Sequence, residues 1–188
     1  YQLCVLYYKE DFEPYKMRGI QLLNLRNLSR QQEIITNMYV EAKLQFHTIL
    51  DQVFPEYRKI FGDLFSKVSL LILKEYPTSE KVLETDEEEL AERIKEYCPT
   101  RSIQWAREKA RKLIYSASQN PFQKVMYQSH LINLSMYIDI LFHYQGHLSE
   151  LESQMVSLAS EIEEYKIIQT IPGIGEKIAA TIVSEIGE

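Results

Sequence analysis

Three groups of residues in this 188-residue chain have the types and spacing to hold phosphate. The first is "IPGIGEK", residues 171–177, in which Gly173 and Gly175 flank Ile174. Glycine takes the positive φ that a tight turn needs and lets another backbone approach closely. A helix opening after such a turn directs free N–H groups outward, here beside Lys177, and its dipole suits an anion without reading any base. Glu176 opposes this by putting a negative charge where a phosphate would sit, so a hairpin used only for packing is the competing reading. The second group is "RSIQWAREKARKLIYSA", residues 101–117, an amphipathic helix whose expected buried stripe is Ile103, Ala106, Ala110, Leu113 and Ala117. Trp105 falls off that stripe beside Lys109 and Lys112, with Arg107 and Arg111 on the other flank. A Trp among cations can stack on a base or sugar; packing on a neighbouring helix is the plainer alternative. The third group is Arg26 and Arg30, one helical turn apart with Lys16 and Arg18 nearby, which can grip a phosphate backbone or simply charge a surface.

Residues for catalysis do not assemble. No Ser, Cys or Thr stands in an activating context, and no carboxylate cluster has the placement of a metal pair. Ser184 follows the glycine turn with no visible base. His143 and His147 share an i, i+4 face with Asp139 one turn earlier, but no further ligand is evident, and they read as polar positions on a long helix. Cys4 and Cys98 are far apart and lack a C-x-x-C partner, the pattern of reduced thiols. No catalytic residue, metal ligand or cofactor is therefore expected within this chain. On residues alone it reads as a binding and assembly module.

The totals agree. A net charge of −6 argues against indiscriminate nucleic-acid binding. Charge is uneven, however: residues 80–96 hold eight acids and three bases, and 101–124 hold six bases and one acid. A local basic stripe can bind phosphate whatever the total. No apolar run approaches the roughly 20 residues needed to cross a bilayer, so no membrane partner is expected. The sequence shows no secretory leader pattern, and the opening Tyr1 in place of Met suggests a piece of a longer chain.

The elements that must position these groups are helices. With six Gly and six Pro, and long stretches free of both, the chain is predicted to be all-α. Residues 1–18 read as the tail of a preceding domain, broken off by Pro14 and Gly19. Residues 19–54 form a first long helix, with apolar positions at helical spacing and Pro55 at its end. Residues 55–120 form a small helical subdomain of short helices. Thr78 or Ser79, and Thr85 or Asp86, are candidate helix caps, and the acids at 86–89 form a helix start favoured by its dipole. Residues 121–168 are predicted as a second long helix. Its heptad seam runs from Tyr127 through Leu131, Leu134, Ile138 and Leu141, then from Leu148 through Leu151, Met155, Leu158 and Ile162 to Tyr165. A register shift is expected at Gln145 and Gly146. About 45 helical residues span roughly 68 Å, so the seam needs the first long helix, a second copy of the chain, or both. Residues 169–188 begin a helix-hairpin-helix, with Ile171, Ile174, Ile178 and Ile182 expected to lock its two helices. The predicted architecture is two long antiparallel coiled-coil-type helices, a small helical subdomain between them, and a C-terminal helix-hairpin-helix stub.

The stretches "LLNLRNLSRQQ", "VFPEY" with "EYPTSE" behind it, and "TIPGIG" together resemble a bacterial insertion-sequence transposase of the Piv-related group, over nearly the whole chain. That resemblance implies a recombinase with an N-terminal DEDD nuclease-like domain of RuvC type that holds divalent metal, Mg being the expected ion. It also implies a C-terminal domain with a serine nucleophile, and a structured guide RNA that pairs donor and target DNA. Long helices between the two catalytic domains would dimerise, and the setting would be the bacterial cytoplasm. Tyr1 falls after the place of the last DEDD aspartate and Glu188 falls before the serine region, so neither catalytic set maps onto any residue here. The expected function is that of a central dimerising and nucleic-acid-positioning part, with DNA, guide RNA and a second copy as partners. The alternatives are a scaffold that never meets nucleic acid, and a stand-alone helix-hairpin-helix DNA-repair accessory.

Overall fold

The computed structural model describes residues 19–121 and 128–186, and every described element is helical. In order they are α1 (Ile20–Val53), a 3₁₀ helix (Pro55–Lys59), α2 (Lys67–Glu75), α3 (Ser79–Leu83), α4 (Glu87–Tyr97), α5 (Ile103–Ser118), α6 (Gln128–Ala159), α7 (Glu163–Gln169) and α8 (Glu176–Ile186). The predicted tail at 1–18, including Cys4, Lys16 and Arg18, lies outside the described residues, as does Tyr127. Among the described residues no helix is long and apolar enough to cross a membrane.

Local chemistry accounts for the boundaries. α1 runs 34 residues because nothing interrupts it, and it stops where Pro55 pushes Phe54 out of the helical region, to φ −151° and ψ 70°. Thr78, Asp86 and Ser102 each cap a helix with a side-chain oxygen, accepting from the N–H of Lys81, Glu88 and Trp105 respectively. Glu87, Glu88 and Glu89 fill the first turn of α4, where the helix dipole favours them.

The second long helix departs from expectation. It is predicted across 121–168, but α6 ends at Ala159 and a turn at 160–162 separates it from α7. Ile162 is extended, at φ −97° and ψ 130°, and so is not a helical seam position. Glu163 and Glu164 then open α7 in the place that its dipole favours, a helix-start signal that outweighs the continuing heptad. The weak patch at Gln145 and Gly146 leaves α6 unbroken. Gln145 is instead a tie, its amide donating to the Tyr39 hydroxyl at 2.8 Å and the Phe65 carbonyl at 2.9 Å.

The chain forms two compact units, and the division follows packing rather than the linear order of segments expected from the sequence. One unit takes residues up to Gln32 and from Glu150 onward; the other takes Glu33–Ser149. In the smaller unit Leu22 and Leu25 of α1 bury with Met155 and Ala159 of α6, Tyr165 of α7, and Ala179, Ala180 and Val183 of α8. Leu158, Ile162, Ile168 and Ile174 pack against this cluster. Its α1 and α6 segments run antiparallel, since Gln21 bonds Glu161 while Gln32 bonds Glu152.

In the larger unit Phe46 and Leu50 of α1 bury with Leu134, Ile138 and Leu141 of α6, and Leu131 packs against them. That part of the seam is thus covered within one chain. Leu148 and Leu151 are half-buried. Ala106, Ala110, Leu113 and Ala117 are wholly buried and bring α5 close to α3 and α4; Ile103, expected on the same stripe, is exposed. Asn120 lies buried where three elements meet, its amide donating to the Val53 carbonyl at 3.1 Å and to Ser79 Oγ at 3.0 Å. Tyr57 is fully buried and donates to the Ser69 carbonyl at 2.7 Å; burial pushes its hydroxyl far above its ordinary pKa.

Candidate nucleic-acid interface

The glycine turn divides its two glycines by role. Gly173 has φ +90°, a left-handed value that favours glycine, whereas Gly175 does not. Gly175 lends its carbonyl to the Ala179 N–H and opens α8. The two helices are locked by Tyr165, Ala179, Ala180 and Val183, one register away from the isoleucines expected to do so. Ile171 and Ile178 are half-exposed, and of the four isoleucines Ile174 packs against the cluster. Lys177, the expected phosphate ligand of this turn, pairs with Glu152 of α6, which also accepts from Gln32. A carboxylate therefore already meets the cation at the first turn of α8.

Arg26 likewise works inside its unit. Its Nε donates to the Ser184 carbonyl at 3.0 Å and its Nη2 to the Glu185 carbonyl at 3.1 Å, satisfying carbonyls that the end of α8 leaves open. Arg30 follows one turn later with a looser pair to Glu185, at 3.5 Å. Ser184 is buried and its hydroxyl donates to the Thr181 carbonyl, a bond within the helix.

In the larger unit the acidic and basic runs face each other. Arg107 grips Glu88 through two nitrogens, with contacts of 2.6, 3.1 and 3.2 Å, and Arg111 Nε meets Glu87 at 2.7 Å. The Arg107 hydrogen bonds hold the Glu88 carboxyl below its ordinary range and raise Arg107 in turn. Lys112 pairs with Glu108 one turn back on α5, at 2.7 Å. The acid run is thus more than a solvated helix start: half of it neutralises the basic stripe. Trp105 packs at 6.5 Å from Phe61 and borders the core, with Arg101 and Lys109 over its ring at 5.9 and 5.8 Å. Lys109 donates to the Ile60 carbonyl at 2.8 Å, and burial followed by the charge of Lys112 lowers its pKa. Of the two readings of Trp105, stacking on a base or packing on a neighbouring helix, these contacts favour packing.

One concave surface in this unit still gathers cations. The Pro55–Lys59 helix and α5 flank an open cleft of about 510 Å³ lined by Glu56, Lys59, Arg111, Lys112, Tyr115 and Ser116. Lys59 meets Glu56 at 2.8 Å across one helical turn. These ion pairs are exposed, and exposed pairs contribute only about 0.2–1 kcal/mol each. A phosphate oxygen can replace a carboxylate as partner at little cost. Lys59 and Tyr115 carry no signal as a pair in the sequence: only the fold brings the 3₁₀ helix against α5. Tyr115 was missed in the sequence, although its place opposite the buried stripe of its helix was a signal that could have found it.

Asp139 pairs with Lys74 of α2, while His143 and His147 are exposed on α6. Among the described residues no group of three His, Cys, Asp or Glu could hold a metal ion. Compared with known proteins, the chain matches no family model, no curated protein and no solved structure.

Proposed function

We propose that this chain is a helical assembly part of a DNA-transposing recombinase, one that dimerises and positions nucleic acid without performing the chemistry. The cleft between the Pro55–Lys59 helix and α5 carries this reading, because it brings Lys59, Arg111 and Lys112 to one surface of a chain whose net charge is −6, each in an exposed ion pair that a phosphate can replace. The resemblance of "LLNLRNLSRQQ" and "TIPGIG" to a Piv-related transposase supplies the setting, with DNA and a structured guide RNA as the ligand class. Dimerisation is supported by apolar side chains exposed one turn apart on α1, Ile34 with Met38 and Val40 with Leu44.

The scaffold reading draws on a specific observation, that Arg107, Arg111 and Lys112 all have acidic partners. Titration of a labelled RNA hairpin and a DNA duplex with a single-stranded tail separates the two. The paired charge reversal Lys59→Glu, Lys112→Glu abolishes low-salt retention of both ligands if the cleft binds them. Equal retention by the variant, or none by the parent chain, supports the scaffold.

A further inference from the structure

Tyr115 distinguishes this cleft from an ordinary charged surface. The residue is 69% exposed, although it lies on the same helix as the wholly buried Leu113 and Ala117. Among the described residues no ring, cation or hydrogen-bond partner engages the Tyr115 side chain, in contrast to Trp105, which has Phe61, Arg101 and Lys109 around it. Arg111 and Lys112 precede Tyr115 by four and three positions, so ring and cations share one helical face. Lys59 approaches from the other wall of the cleft.

We infer that the cleft takes an unpaired stretch of strand, one base stacked on Tyr115 and three successive phosphates held by Lys59, Arg111 and Lys112. The inference rests on the nucleic-acid reading above and narrows it to single strands. A base inside a duplex has both faces covered by its neighbours, whereas an unpaired base offers a free face to an aromatic ring. The cleft is open to solvent, so a strand can lie along it without being enclosed. An acidic peptide would satisfy the cations equally but would leave the ring unused. Stacking tolerates any base, so the site reads strandedness rather than sequence.

The test is fluorescence anisotropy of the 188-residue chain at low salt with oligouridine, oligodeoxyuridine and a blunt duplex of equal length. Both single strands are expected to bind more tightly than the duplex. Tyr115→Ala should weaken single-strand binding at least about fivefold and leave the duplex unaffected, while Tyr115→Phe keeps the affinity. Circular dichroism of both variants checks that the fold is intact. Oligouridine compared with oligodeoxyuridine, which differ in the 2′-hydroxyl alone, assigns the natural strand to RNA or to DNA by the tighter binder; either supports the inference. If the duplex binds equally well and Tyr115→Ala changes nothing while Lys59→Glu, Lys112→Glu still weakens binding, the stacking inference fails and the broader reading stands. If no oligonucleotide is retained, or polyglutamate competes equally well, the broader reading fails as well.

Discussion

Arg26 and Arg107 look alike in the sequence, each a cation at helical spacing from another, yet their neighbours decide what each one does. Arg26 closes the end of α8 and Arg107 answers Glu88, and neither partner lies close enough in sequence for local pattern to find it. His47 shows the same dependence on surroundings in a form that pH can test. Its ring lies edge-on to Phe65 at 5.2 Å, and its Nδ1 is buried without a partner. Burial lowers its pKa from 6.5, followed by the charge of Arg58; Asp51 opposes them and Lys43 adds to them. The unfolded chain therefore takes up a proton more readily than the folded one. The stability contributed by neutral His47 is complete above pH 6.5 and is lost as pH falls below it toward the folded value. The thermal midpoint should decline across that acid limb, and His47→Gln should flatten the decline. An equally steep limb in the variant would show that other groups cause it.

At the scale of the element, the glycine turn gives a sharper contrast than its sequence does. A Cβ at either Gly173 or Gly175 would meet nothing within 4 Å, so space does not separate them. Backbone conformation does, because only Gly173 has positive φ. Gly173→Ala should destabilise the α7–α8 unit by about 1–2 kcal/mol, whereas Gly175→Ala should be neutral or slightly stabilising. Chemical denaturation of both variants checks this, and equal effects would contradict the assignment. Proline and capping side chains made the end of α1 and the starts of α3 and α4 legible in advance, since those signals act within a few residues. The break after Ala159 was harder to see, because Leu158, Ile162 and Tyr165 keep a heptad spacing that the backbone abandons. All three still bury or pack in one cluster, so the pattern correctly marked what is covered and mistook the path between.

For the whole molecule, the two long helices were legible from their length and periodicity, but the division into two units was not. It depends on which short helices gather around each stretch of α1 and α6, a matter of contacts distant in sequence. The seam argument changes accordingly: Leu134, Ile138 and Leu141 are covered by the chain itself, so they no longer require a second copy. Apolar side chains remain exposed on α1 and, as Ile132 and Met136, on α6, and the proposed dimer is assigned to α1. Leu44 is 60% exposed there, and Leu44→Glu should convert a sedimenting dimer to monomer without loss of helical signal. A parent chain that sediments as a monomer would contradict dimerisation through α1. The proposed role in nucleic-acid positioning depends most on the cleft of Lys59, Arg111 and Lys112, and the salt dependence of single-strand binding tests it most directly. Three phosphate contacts predict that log K falls with log salt at a slope of about −2, and Lys59→Ala with Lys112→Ala should reduce this to about −0.7. A slope near zero, or one that the paired substitution leaves unchanged, would contradict the account.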